Sequence, residues 1–194
     1  YRTLAGASEG QYKDRGSRFL AYAIPVRSLE EAQEEVSRLR AMHHAARHCC
    51  YAYILGAEGS ESRANDDGEP SGSAGRPILG VLLSQELRDV IIVVIRYFGG
   101  IKLGVPGLIA AYRGAAEEAI EQAEVVVRIV ERRYTLRFAY AIQHEVMDIL
   151  KRVDARMENQ VYGEECQVQV AWSLAVDQEA HQRLEKICDI EAVE

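Results

Sequence analysis

Between Asp89 and Phe98 the sequence reads DVIIVVIRYF, with six β-branched aliphatic residues in unbroken succession. A strand with one wet face alternates apolar and polar residues. A continuous run therefore predicts a strand covered on both faces, at the centre of a sheet. As a helix the run is too short to cross a membrane, which takes about 18 apolar residues or more. A strand of this kind needs helices packed against it, and the flanking sequence supplies them. PILGVLLSQEL, opening at Pro77, predicts a short apolar helix, and LIAAYRGAAEEAIEQAE over 108–124 predicts a longer one.

The remaining elements fall into two groups. RFLAYAIPV (18–26) and HCCYAYILG (48–56) read as strands, with a helix between them that ends near Ala46. Ser28 stands three residues before Glu31 at that helix's start, and Leu29, Ala32, Val36 and Leu39 form its apolar stripe. Residues 1–17 are polar and aperiodic, which predicts a mobile arm. The run 125–141 holds two strand-like segments split by Glu131-Arg132-Arg133, which predicts a boundary between a first domain, 1–130, and a second, 131–194. The second reads strand (133–141), helix (143–153), strands (155–162 and 165–174) and helix (177–188), with DIEAVE as a last edge strand. That order is the ferredoxin-like split β-α-β pattern, and the chain as a whole is predicted to be mixed α/β, of the α+β kind.

Charge narrows the partners. The net charge is −7, and residues 131–194, with 8 basic and 13 acidic side chains, carry most of it. Nucleic acid, if bound, is expected on the first domain. The four cysteines show no C-x-x-C pair, and neighbours Cys49 and Cys50 point to opposite faces of a strand. With no signal-like apolar segment in the first seventeen residues, a reduced, cytoplasmic protein without a membrane partner is expected. The oligomeric state is not written in the sequence.

Two glycine-rich stretches bracket the central strand: NDDGEPSGSAGRPILG (65–80) and GGIKLGVPG (99–107). Neither is a nucleotide-binding motif. The first lacks the lysine of a Walker loop, and Val105-Pro106 stands where the second would need Lys-Ser/Thr. The second stretch nevertheless joins a strand end to a helix start, where free N–H groups attract anions. Arg96, Gly99, Gly100, Lys102, Gly104 and Arg113 are the candidate anion- or nucleic-acid-binding residues. Alternatively, the glycines only make a tight turn and the cations are solvated. In the first stretch Asp66, Asp67 and Glu69 could act as acid–base groups, but pairing with Arg96 or Arg76 is the expected role. Ser71 and Ser73 lack the context of a nucleophile elbow. His43, His44, His48, Cys49 and Cys50 lack the spacing of a zinc site, so neither metal nor cofactor is expected. His48 could face the same cleft as the two loops. Trp172 is expected in the second domain's core.

The stretches DDGEPSGSAGRPIL (66–79), VIRYFGGIKLG (94–104), GLIAAYRGA (107–115) and HCCYAY (48–53) together resemble the signature of the IMPACT/YigZ family. The resemblance spans roughly 18–125, and the remainder is similar to the small second domain of bacterial members. It implies a first domain folded like domain 2 of ribosomal protein S-five, and a ferredoxin-like β-α-β-β-α second domain as in elongation factor G. It also implies a translation-linked role, since eukaryotic members bind the activator of a translation-control kinase. Val105-Pro106 departs from the small residues of many members and stiffens the loop.

Two functional readings follow. One is a non-enzymatic regulatory protein whose cleft, walled by the two loops, binds an anion, RNA or a ribosome-associated partner. His48, Asp66, Asp67, Glu69, Ser71, Ser73 and Arg76 form the acidic wall of that cleft. The other is a small-molecule hydrolase using the 66–69 acids and His48.

Overall fold

The structure is a computed structural model describing residues 1–193, and it divides into two compact units, one ending at Arg128 and one beginning at Ile129. The first unit runs β1 (Arg2–Leu4), β2 (Ser8–Asp14), β3 (Ser17–Pro25), α1 (Leu29–Met42), β4 (His48–Leu55), β5 (Glu61–Asn65), α2 (Gly75–Ser84), β6 (Val90–Tyr97), α3 (Gly104–Glu121) and β7 (Val125–Val127). Five of its strands form an antiparallel sheet in the order β2-β3-β6-β4-β5, and β1 pairs separately with β7.

β6 is the middle strand, and Val90–Ile95 are all fully buried. Its period of two divides these side chains between two cores. Ile91, Val93 and Ile95 meet Leu39 and Ala32 of α1, while Val90, Ile92 and Val94 meet the faces of α2 and α3. Fully burying such a side chain is worth roughly 1.5–3 kcal/mol. The unbroken apolar run is thus the cost-free solution only for a strand in this central position. α1 starts where its cap predicts, with Ser28 Oγ accepting from Glu31 N–H at 3.2 Å.

Three elements differ from expectation. Residues 1–17 are no loose arm: β2 pairs with β3 across a turn in which Arg15 and Gly16 both take positive φ. Its polar look has a physical reason. β2 is an edge strand whose exposure alternates, and it touches α3 so closely at Gly10 that a Cβ there would run into the backbone of Ala119. β5 lies where the sequence suggested only a connector. Apart from its last residue it is exposed throughout, so no apolar face marks it. α3 begins at Gly104 rather than 108, with Pro106 inside its first turn, where a missing N–H costs nothing.

The second unit contains β8 (Glu131–Ala139), α4 (Gln143–Arg152), β9 (Arg156–Val161), β10 (Glu165–Ser173), α5 (Asp177–Leu184) and β11 (Asp189–Val193). Its antiparallel sheet has the order β11-β8-β10-β9. Trp172, Leu136 and Phe138 of the sheet pack with Val146 and Leu150 of α4 and with Leu184 of α5. β11 supplies the edge strand expected from DIEAVE; its last residue, Glu194, lies outside the described residues. No helix among the described residues is long and apolar enough to cross a membrane.

Candidate functional site

The two glycine-rich stretches leave neighbouring elements of one sheet. The first runs from β5 to α2 and the second from β6 to α3. Within the first, Asp66 organises the backbone. Its carboxylate accepts from the N–H of Gly72 (2.8 Å), Ala74 (3.0 Å) and Gly75 (2.8 Å), which serves the start of α2 where the helix has no side-chain cap of its own. Burial works against that charge. The N–H groups of Gly72, Gly75 and Ala74 and the nearby Arg76 outweigh it, so the carboxyl sits below the usual aspartate range.

Asp67, at φ 41°, faces the opposite way. Its carboxylate accepts from Cys49 N–H at 2.7 Å and meets Arg40 of α1 at 3.0 Å. Here too burial is opposed, by Arg40 and the Cys49 N–H, and the pKa lies below its ordinary value. The Asp67 carbonyl lies 2.8 Å from His48 Nδ1. A carbonyl only accepts, so Nδ1 carries the proton and the other ring nitrogen, Nε2, stands 3.9 Å from Glu69 Oε1.

Glu69 is the acid that points inward. Its Oε1 accepts from Arg96 Nη1 at 2.6 Å and from Tyr112 OH at 2.7 Å, and both carboxylate and guanidinium are buried. Burial, with the neighbouring Cys50 and Glu69, pushes the Tyr112 hydroxyl far up, so it stays a donor. The Arg96 guanidinium lies between two aromatic rings, 5.5 Å from the centroid of Phe19 and 5.6 Å from that of Phe98. Its Nε is buried and has no hydrogen-bond partner among the described residues.

These groups line a cavity of about 480 Å³. Glu69, Arg96 and Leu108 are its buried wall; His48 and Leu103 are half-buried; Arg47, Phe98, Lys102, Gly104 and Val105 stand exposed around it. α3 opens onto it with no side-chain cap at its N-terminus. The arrangement offers cations and free N–H groups outside, an acceptor inside and apolar surface between them. Cys49 and Cys50 are buried thiols beside it; burial raises Cys49 to about 11 and Cys50 further still, so neither is a thiolate.

Of the residues singled out from sequence, the fold brings His48, Glu69, Arg96, Lys102 and Gly104 to this cavity. Gly99 and Gly100 shape the loop outside it; Gly99 N–H donates to Ser17 Oγ at 3.1 Å. Asp66 and Asp67 serve the loop's own backbone and α1. Ser73 is buried and donates to the Pro70 carbonyl at 2.6 Å, while Ser71, Arg76 and Arg113 are exposed away from the cavity lining. His43 bridges the hydroxyls of Tyr22 and Tyr97, each at 2.8 Å. Among the described residues no group of three or more His, Cys, Asp or Glu side chains converges as metal ligands would. Sequence reasoning missed Arg47, Phe98 and Tyr112. Phe98 had a signal, an aromatic at the strand's end directly ahead of Gly99-Gly100, whereas Tyr112 reads only as one more apolar position of α3.

The family model described as the Impact N-terminal domain matches residues 15–120. The chain is 43% identical over 132 residues to the IMPACT family member YvyE of Bacillus subtilis, covering 68% of this chain and 61% of that relative. It is 34% identical over 148 residues to the IMPACT family member YigZ of Escherichia coli, covering 75% and 72% respectively. A solved structure described as that of a hypothetical protein superposes with a TM-score of 0.72 at 30% identity, over 100% of this chain and 97% of the other. The matched signature stretches are the ones that build the Glu69–Arg96 wall, and the chain belongs to the IMPACT family.

Proposed function

We propose that this chain is a non-enzymatic, translation-linked binding protein whose cleft takes an anionic group of RNA or of a ribosome-associated partner. Family membership supports the link to translation. One observation carries the anion: the exposed side chains of Lys102 and Arg47 stand around the cavity at the N-terminus of α3, which has no side-chain cap among the described residues. Helix N–H groups, the helix dipole and two cations all favour negative charge at one place. The hydrolase alternative, resting on the 66–69 acids and His48, has less support. Asp66 and Asp67 are occupied by backbone N–H groups and Arg40 and do not line the cavity.

Titration of the full chain against ribosomes and structured ribosomal RNA at low and raised salt tests the reading. Affinity should fall with salt, because binding releases counterions held by the phosphates and added salt opposes that release. Lys102→Ala should weaken binding while leaving the melting temperature nearly unchanged, since an exposed lysine contributes little to folding. No association at low salt would sink the RNA version, and full binding by Lys102→Ala would remove the loop from the account. Turnover in a metabolite screen that disappears in Asp67→Ala would favour the hydrolase instead.

A further inference from the structure

The cavity carries charges of opposite sign at two depths. Lys102 and Arg47 are exposed at its edge, while Glu69 belongs to the buried wall. A bare anion satisfies only the outer part. Glu69 Oε1 is taken by Arg96 and Tyr112, but Oε2 accepts no bond from the described residues and is not among the sealed, partnerless atoms. The inner wall therefore offers an acceptor that calls for an N–H donor. A bare carboxylate or phosphate brings no such donor and would set like charges together.

Resting on the cleft reading above, we infer that the ligand is a nucleotide with an amino-bearing base, its base lying between Phe98 and Glu69 and its phosphate at Lys102 and the start of α3. Phe98 keeps 46% of its surface exposed, and its ring already lies against the Arg96 guanidinium. It can offer a stacking surface to an unpaired base. Leu103, Val105 and Leu108 supply the apolar lining, and about 480 Å³ accommodates one nucleotide. The exocyclic amine of cytosine, adenine or guanine can donate to a carboxylate, as cytosine does to Asp and Glu in base readout. Uracil instead presents two carbonyl oxygens beside its single N–H, and a carboxylate repels them.

The test uses the full chain, fluorescence-labelled hexaribonucleotides of A, C and U, and the mononucleotides AMP, CMP and UMP as competitors. Oligo(A) and oligo(C) should bind about tenfold more tightly than oligo(U), the worth of one charge-assisted hydrogen bond. Phe98→Ala, an exposed change that spares the core, should lose about tenfold for every oligomer through lost stacking. Glu69→Gln should narrow the preference over oligo(U). Competition by AMP and CMP as effective as by the hexamers supports the inference with free nucleotide as the source, and competition by hexamers alone supports it with RNA as the source. Equal, Lys102-dependent binding of all three hexamers would overturn base recognition while leaving the anion site standing. Loss of all binding, ribosomes included, would overturn the cleft reading itself.

Discussion

Arg96 Nη1 and Glu69 Oε1 meet at 2.6 Å with both side chains buried, although 27 residues separate them in sequence. One comes from the end of the central strand and the other from the loop before α2. The pair fastens the two glycine-rich stretches to each other, so the cavity's inner wall is a structural bond as well as a binding surface.

Removing one partner leaves the other as an uncompensated buried charge, so Arg96→Ala and Glu69→Ala should each cost roughly 3–5 kcal/mol. The double variant should cost clearly less than the two costs added together, because the penalty of the orphaned charge is then gone. Denaturant melts of the three variants measure this. Simple additivity would show that the pair is not coupled.

Asp66 and Asp67 both titrate below the ordinary aspartate range in the folded chain. A depressed folded-state pKa gives stability that is complete above the unfolded value, about 3.9, and is lost as pH falls below it through the folded pKa. Stability should therefore drop on the acid side, beginning near pH 4. Asp66→Asn and Asp67→Asn should be less stable than the parent at pH 7 and should converge toward it at low pH. A constant gap between pH 7 and pH 2 in melting curves would refute this account of the two carboxylates.

Gly99 and Gly100 are adjacent but differ in what they tolerate. A Cβ on Gly99 would run into the backbone of Gly16 and Ser17, whereas Gly100 has open space around it and only a positive φ of 90°. Gly100→Ala should cost about 1–2 kcal/mol of backbone strain. Gly99→Ala should cost about 3 kcal/mol, because neither backbone can give way cheaply. Thermal melts should rank the parent first, Gly100→Ala second and Gly99→Ala last. The reverse order would mean that the β3–β6 ends are looser than this geometry.

We propose that the two compact units are independently folded domains. Limited proteolysis should then cleave between β7, which ends at Val127, and β8, which begins at Glu131, where Ile129 is 68% exposed. Two resistant fragments are the expected product on a gel. Cleavage elsewhere first, or a single resistant core, would count against separate domains.

The sequence by itself determined the elements whose burial is complete. Six aliphatic residues in a row admit one comfortable position, the middle of a covered sheet, and Val90–Ile95 occupy it. The start of α1 was legible for a similar reason, since Ser28 and Glu31 act within a few residues of each other. The glycine-rich stretches were visible as composition, and the membership of Arg96, Glu69 and His48 in one cleft could be expected from them. Tertiary structure decided the rest. β2 and β5 are edge strands with one or both faces in water, so no apolar period betrays them. Which acid takes Arg96 could not be read from the stretch DDGE, because three carboxylates within four positions are chemically alike. Their separation came from the turn at Asp66 and Asp67, which directs one carboxylate to the start of α2, the next to Cys49 and Arg40, and only Glu69 inward. Tyr112 joined them across 43 residues through the packing of α3 on the sheet. Such contacts depend on the path of the backbone in space, and a local pattern carries no record of it.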